Sequence, residues 1–593
     1  MNCSIRFKLT TVALLVGSAM NANAALYEVV EVKVPTHIQN LISANYTDPS
    51  RYDVYGVAIT QGDVKERDAL GFFSGNVDRE ANKELMVAAA ETRQSVDGVS
   101  YREELPFGMD ATFGYIQEFD DFERYCYNEL RYSTCETWAS IHWAPWYKEL
   151  SKDYTSNALA FVEGNQSAYT NKFNNVINSL TESGSPVGNQ SIVNDEGTLQ
   201  TRNKVVAPVM PVYEKVSDTD TETDFYQSRA WITDGIYTVG SVSSKTGNEN
   251  GTDNYTSKAA IWDKNGVLKP IAWEQTADRD GERLAQGSMR DVVVDTAKNT
   301  VYGVGYNTFA DDNYINASVF VGTFDAGGAL KDSTWQSKQV SGAQMKISGD
   351  IIHSNSVVTN VNSNFVAIGE AKRAGGKPSE GSAANRLFLV KDVRAESVSA
   401  TFLPEFGGIF FSGAGGKMGG INKYNEIVGQ LDAEDTREID GKPRRKRAFI
   451  LPYEANGSVE SRRSIFDNKA WYLDDLTNGS NAPVENNQYR VIDATDINDA
   501  GVISATAIKC EGGYDTTAHN SYCGEGSKEE TVVAVKLIPI ANADANDIEK
   551  RPVEKAAAER SGAGLGWLSL TLLVLFGFRR NRLFFKLGTA SQF

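Results

Sequence analysis

Ile421-Asn422-Lys423-Tyr424-Asn425-Glu426-Ile427-Val428-Gly429 sets two apolar stretches around a short polar turn and ends on a small residue. The same order recurs at 232–240, 294–305, 361–369 and 497–505, whose ends lie 65, 64, 60 and 76 residues apart. A polar loop and a short apolar strand follow each copy, at 259–262, 317–321, 387–390, 448–451 and 532–537. Each unit therefore reads strand, tight turn, strand, variable loop, strand. The turns carry the residues such hairpins need: in Asn498-Asp499-Ala500-Gly501 and Thr233-Asp234-Gly235, glycine tolerates positive φ and Asn or Asp supplies local hydrogen bonds. Three or four antiparallel strands cannot bury both faces alone, so neighbouring units must stack. Closure of the stack leaves few exposed edges. The expected fold class is all-β, a β-propeller-like repeat architecture of about five to seven blades; stacked β-sandwiches are the alternative.

The two ends read as export signals. Arg6 and Lys8 precede an apolar stretch from Leu9 to Met20, and Ala22-Asn23-Ala24 supplies the small residues that a signal peptidase requires. Cleavage after Ala24 is expected, and Cys3 leaves with the signal. At the other end, Ser561-Gly562-Ala563-Gly564 leads into an apolar run from Leu565 to Phe578, then Arg579, Arg580 and Arg582. That order is a membrane segment with a basic stop. Its run reaches only about 21 Å at 1.5 Å per residue, against roughly 30 Å of hydrocarbon, so both a transient sorting helix and a lasting anchor are open. The segment resembles the GlyGly-type C-terminal sorting signal of Gram-negative bacteria, which implies cleavage near Gly562 and Gly564 by a rhomboid-type sortase.

Residues 421–429 with 448–451, and Asp496 to Gly501, resemble the extracellular HAF-type repeat, whose core is Ile-Asn, a turn, Val-Val-Gly and a later Ala-Phe strand. The layout from signal peptide to sorting tail resembles an uncharacterised domain-of-unknown-function family of exported Gram-negative proteins. That resemblance implies a repeat body over 225–540 and brings no catalytic residue. The expected organisation is 1–24 signal peptide, 25–110 N-terminal strands or first blade, 111–224 aromatic insertion and polar connector, 225–540 repeats, 541–560 linker and 561–593 tail. Leu26 to Val34 and Tyr52 to Ile59 read as strands that either close the last blade or build a first one.

Charge and cysteines narrow the function. The chain carries −18; setting aside the cations of the two end segments, Arg6, Lys8, Arg579, Arg580, Arg582 and Lys586, leaves about −24 on the exported body, which repels phosphate backbones and excludes nucleic acid as a partner. Four cysteines remain after signal removal. Proximity pairs Cys126 with Cys135 and Cys510 with Cys523, although four cysteines allow three connectivities; each short loop would add about 3 kcal/mol.

Between Tyr115 and Tyr154 aromatic residues crowd the chain, among them Trp138, Trp143, Trp146 and Tyr147, beside Asp120, Asp121, Glu123 and Glu136. Exposed rings would stack on sugar faces while carboxylates accept hydroxyl hydrogen bonds, giving a glycan or envelope-component site. The competing reading is a packed, disulfide-stapled cap. Lys442, Arg444, Arg445, Lys446 and Arg447 form the one basic cluster, a candidate for an anionic partner or a solvated hairpin tip. His37, His142, His353 and His519 show no paired ligand spacing, and no phosphate loop or nucleophile elbow occurs, so neither metal nor cofactor is expected. The functional expectation is a noncatalytic binder in the cell envelope, at the surface or in the periplasm. The alternative is a secreted carbohydrate-active enzyme using carboxylates on the propeller face.

Overall fold

The computed structural model describes most of residues 25–554; residues 1–24, 95–117, 207–226, 372–384 and 555–593, with shorter breaks, lie outside the described residues. Ala24, Gly562, Gly564, Trp138, Trp146 and the apolar tail are therefore among those not described. No helix of the described residues is long and apolar enough to cross a membrane.

The protein is mostly β-sheet. Among the described residues, seven antiparallel sheets of three or four strands follow one another along the chain, besides two two-stranded hairpins, and their strands run in sequence order except for one N-terminal strand in the last sheet. Sheet 1 comprises Tyr52–Ile59, Ala88–Gln94 and Ala158–Val162; sheet 2 comprises Asn175–Leu180, Pro186–Val193 and Leu199–Val206. Sheets 3 to 6 have four strands each and begin at Gln227–Thr233, Ser288–Asp295, Ser356–Val361 and Gly416–Ile421. Sheet 7 takes Tyr489–Ile497, Ile503–Cys510 and Glu530–Pro539 from the C-terminal part and adds Tyr27–Glu31 from the N-terminus as its fourth strand, with Tyr27 opposite Pro539 and Glu31 opposite Val535.

Central strands carry apolar residues on both faces, so each sheet is buried on both sides. In sheet 6, Val428 and Ile450 pack with Ala494, Ile503 and Val535 of sheet 7, while Ile427 and Phe449 turn the other way onto Ile368, Leu387 and Leu389 of sheet 5. Every junction has such a core, including the one from sheet 7 back to sheet 1, where Val502, Ala534 and Ile538 meet Val54, Ala88 and Phe161.

The small residue that ends the repeat has a steric cause. The first strand of every sheet contains a β-bulge, between Met289 and Asp291, Val358 and Asn360, and Met418 and Ile421 in sheets 4 to 6, for example. Gly305, Gly369 and Gly429 sit opposite those bulges, and a Cβ there would overlap the carbonyl oxygens of Ser288, Val357 and Lys417. The extra residue kinks the strand toward its partner, and only a small residue leaves room.

The turn asparagine has a second role. Asn362, Asn422 and Asn498 each use Oδ1 to accept backbone N–H groups of their own turn, at 3.0–3.1 Å. Their Nδ2 groups reach the next sheet: Asn362 donates to the Asn422 carbonyl at 2.9 Å, Asn422 to the Asn498 carbonyl at 3.1 Å and Asn498 to the Thr60 carbonyl at 2.8 Å. One side chain thus satisfies a turn and links two sheets.

Tyr52–Ile59, one of the N-terminal strands read from the sequence, opens sheet 1, while Tyr27–Glu31 joins the last sheet. The stretch read as a polar connector needs correction, because it contains sheet 2. Sheet 2 escapes the sequence pattern because its strands bury polar side chains: Asn175, Asn189 and Ser191 are all within 2% of full burial.

With strands in sequence order, the start of each first strand and the link from second to third strand fall on the same side. Among the described residues, that side receives part of the long link between Ala88–Gln94 and Ala158–Val162 in sheet 1, residues 194–198 in sheet 2 and residues 511–529 in sheet 7. The opposite side carries the tight turns around Asn362, Asn422 and Asn498.

Candidate ligand-binding site

The longest of these links, between Ala88–Gln94 and Ala158–Val162, holds the helix Phe119–Tyr125 and the disulfide Cys126–Cys135. Phe122, Cys126, Cys135 and Ala139 are fully buried, the inner face of a small cap. Trp143 packs edge-on against Phe122, ring centres 6.4 Å apart, and lies 6.2 Å from Tyr147. The helix's other face is open. Glu118, Asp120, Glu123, Arg124 and Tyr127 line a depression of about 280 Å³. Tyr127 is 43% exposed and Tyr147 is 58% exposed. The two readings of the insertion thus divide by residue: Phe122 and Trp143 pack together, whereas Tyr127 faces solvent beside carboxylates and Tyr147 is exposed next to Trp143.

The basic cluster is different from its expected role. Arg444 is buried and donates to the Asp432 carboxylate at 3.1 Å and the Gly413 carbonyl at 2.9 Å; Lys446 also pairs with Asp432. Arg447 is buried against Asp475 at 3.0 Å. Of the three arginines assigned to an anionic partner, only Arg445 is substantially exposed, 4.0 Å from Glu434. Arg444 and Lys446 reach Asp432 while Arg447 reaches Asp475 from the other face of the strand, partners that a charge run conceals.

A polar knot not anticipated from sequence surrounds Asp474. His519 Nδ1 lies 3.0 Å from Asp474 Oδ2, and the Arg447, Arg490 and Arg551 guanidinium groups crowd the same region. Burial alone would raise the Asp474 carboxyl, but the His519 hydrogen bond and the Arg447 and Arg551 charges outweigh it and hold the group well below the usual carboxylate range. Burial lowers the His519 imidazole against the pull of Asp474. Sequence spacing could not join residues 45 apart whose partners come from three segments.

Carboxylates on the first strands are committed to structure. Asp291 accepts from Val292 N–H at 2.7 Å and, across the junction, Val361 N–H at 2.9 Å; Asp496 accepts from Ile497 N–H at 2.9 Å and Ile59 N–H at 3.0 Å. Burial pushes both up to about 7 despite these donors. Because the folded values exceed the ordinary carboxylate value of about 3.9, the folded state holds these protons more tightly, and stability from these groups is lost as pH rises toward and through 7. For Asp291 the difference between pH 5.5 and 8 is on the order of 2 kcal/mol. His519, lowered in the fold, acts in the opposite sense below about 6.5. Asp291→Asn is therefore expected to melt at or above the wild-type temperature at pH 8 and below it at pH 5.5. Parallel melting curves for the two proteins across that range would refute the assignment.

No group of three or more His, Cys, Asp or Glu among the described residues is disposed to hold a metal ion. The disulfides Cys126–Cys135 and Cys510–Cys523 fit an extracellular or periplasmic location.

Among solved structures, one described as a glycoside hydrolase aligns at 10% identity over 52% of this chain and 86% of its own, with a TM-score of 0.22. The sucrose-6-phosphate hydrolase of Lactobacillus gasseri aligns at 12% identity over 55% of this chain and 70% of its own, with a TM-score of 0.20. Scores this low transfer neither fold nor activity. No curated protein matches the chain. A family model described as "Protein of unknown function (DUF3466)" matches residues 5–209 and 217–581, nearly the whole length, and the chain belongs to that family.

Proposed function

We propose that this is an exported, noncatalytic β-propeller of seven blades that binds an extracellular or envelope glycan through the insertion of its first blade. The repeated sheets and the apolar core at every junction, the seventh with the first included, support the propeller reading. The signal-like N-terminus and the sorting-like tail support export, and the tail a connection to the membrane that a rhomboid-type sortase would sever.

The observation that carries the ligand reading is the open depression in which exposed Tyr127 stands beside Glu118, Asp120 and Glu123, with a second exposed ring, Tyr147, on the same insertion. Tyrosine rings offer an apolar platform for the C–H face of a sugar, and carboxylates accept its hydroxyl hydrogens. Such an arrangement binds without reacting. Screening the full-length protein against a panel of bacterial envelope and environmental glycans is expected to give binders whose affinity falls roughly tenfold, about 1.4 kcal/mol, in Tyr127→Ala/Tyr147→Ala. Binders held equally well by that variant would move the site elsewhere, and a panel without binders would reject the glycan reading.

A further inference from the structure

The chain beyond the last strand, Glu530–Pro539, returns along the outside of sheets 6 and 7, and its two halves are held by different means. Residues 540–548 are held by apolar contact: Ala543 is buried, and Ile540 and Ile548 pack on the core that contains Tyr27, Phe73 and Leu476. Residues 549–554 bury no apolar side chain and are held by polar attachments and by Lys550 Nζ, 5.2 Å from the centre of the Trp471 ring. Asn478 donates to the Glu549 carbonyl at 3.0 Å, and Arg551 donates its backbone N–H to Asp475 at 3.1 Å and its Nε to the Asp474 carbonyl at 3.0 Å. Val553 is 67% exposed.

Apart from 3.4 Å contacts of the Arg551 guanidinium with Thr477 Oγ1 and Asn487 Oδ1, the remaining hydrogen bonds come from one loop. Thr517 accepts from Arg551 Nη1 at 3.0 Å, His519 N–H donates to the Pro552 carbonyl at 2.8 Å, and Asn520 exchanges two 2.7 Å hydrogen bonds with the Glu554 backbone. Thr516 Oγ1 donates to the Glu554 carboxylate at 2.5 Å. All four residues lie between Cys510 and Cys523, whose disulfide closes the loop. Arg490 spans the loop from within, donating to the Thr516 carbonyl at 3.2 Å and the Ala518 carbonyl at 2.8 Å.

We propose that residues 549–554 are a releasable clasp, seated in the Cys510–Cys523 loop, that sets how far the C-terminal tail stands from the body. Segments without apolar burial open at a small fraction of the global unfolding free energy, whereas 540–548 stay docked, so the hinge falls at Ile548. Closed, the clasp leaves residues 555–560 as the spacer before Ser561, about 20 Å when extended. Open, the spacer becomes 549–560 and its reach about 40 Å. The crosslink matters because it keeps the four gripping residues in one arrangement. Reach to any membrane-bound or proteolytic partner of the tail then depends on an extracellular disulfide far from the tail in sequence. The argument does not rest on the glycan reading.

Limited trypsin digestion of the full-length protein in detergent micelles tests the clasp, with peptide masses following cleavage after Lys550 and, as an internal control, after Lys264 in a tight turn of sheet 3. Lys550 is followed by Arg551, so the bond is a substrate once the segment detaches. The wild type is expected to resist at Lys550. Both Cys510→Ser/Cys523→Ser and Arg551→Gln are expected to be cut there at least tenfold faster with the Lys264 rate unchanged. If the cysteine variant loses its fold, its Lys264 rate will rise, and Arg551→Gln, which retains the disulfide, decides alone. Resistance at Lys550 equal to wild type in Arg551→Gln would overturn the proposal, as would a wild type already cut there as fast as the denatured chain.

Discussion

Arg462→Met is expected to lower stability by about 3–5 kcal/mol, the usual consequence of removing one partner from a buried ion pair. Arg462 and Glu426 have 0% exposed side chains, joined by Nε to Oε1 at 2.6 Å and Nη2 to Oε2 at 2.9 Å. Arg462 Nη1 also donates to the Ala69 carbonyl at 3.3 Å, and Glu426 accepts from Asn422 Nδ2 at 2.6 Å. The pair therefore ties the turn of sheet 6 to the long link of sheet 1 and, through Asn422, to sheet 7. Without the guanidinium, which the Phe73 and Tyr424 rings flank at about 5 Å, the buried Glu426 carboxylate loses its ionic partner. For a body of this size the loss corresponds to a fall in Tm of roughly 3–5 °C, measurable by calorimetry. Adding Glu426→Gln removes the stranded charge and is expected to restore more than half of it. A double variant no better than the single one would show that packing, not charge, holds this corner.

A larger effect is expected from deleting residues 25–31 of the processed chain. Tyr27–Glu31 is the fourth strand of sheet 7, and Ala25, Leu26 and Tyr27 are fully buried against the core shared by sheets 6 and 7. Asn486 recognises the strand from outside, accepting from Val29 N–H and donating to the Tyr27 carbonyl, both at 2.9 Å. Removal exposes the edge of Glu530–Pro539, an invitation to intermolecular pairing, and strips one wall from the core. The truncated protein is expected to aggregate or to melt more than 10 °C lower. A synthetic peptide spanning residues 25–35 should restore solubility when present during refolding. Native melting of the truncated protein without peptide would mean that the N-terminal strand is dispensable.

The repeat was legible because its physical constraints are local. Asn362, Asn422 and Asn498 must be asparagine to cap a turn and reach the next sheet, and Gly305, Gly369 and Gly429 must be small opposite a bulge, so the pattern survives loops of any length. Sheet 1 was legible only in its first strand, because residues 60–87 replace its short turn, and sheet 2 was missed because it buries asparagine and serine where an apolar signal was sought. Aromatic density does not say which ring points inward, and Tyr127 stood in the sequence no differently from Phe122. The basic cluster misled because Asp432, Asp474 and Asp475, which neutralise it, are distributed over 44 positions. The two disulfides followed sequence proximity, where geometry and chain entropy agree.

The pairing of Tyr27–Glu31 with Glu530–Pro539 also acts as a check on synthesis. A ribosome adding roughly 5–20 residues each second needs about half a minute or more to pass from one strand to the other. Over that interval the first strand has no partner, and a product that stops early never acquires one. Only a chain that extends through Pro539 can cover its N-terminal strand, so a fragment that stops earlier keeps that apolar strand unpartnered and exposed.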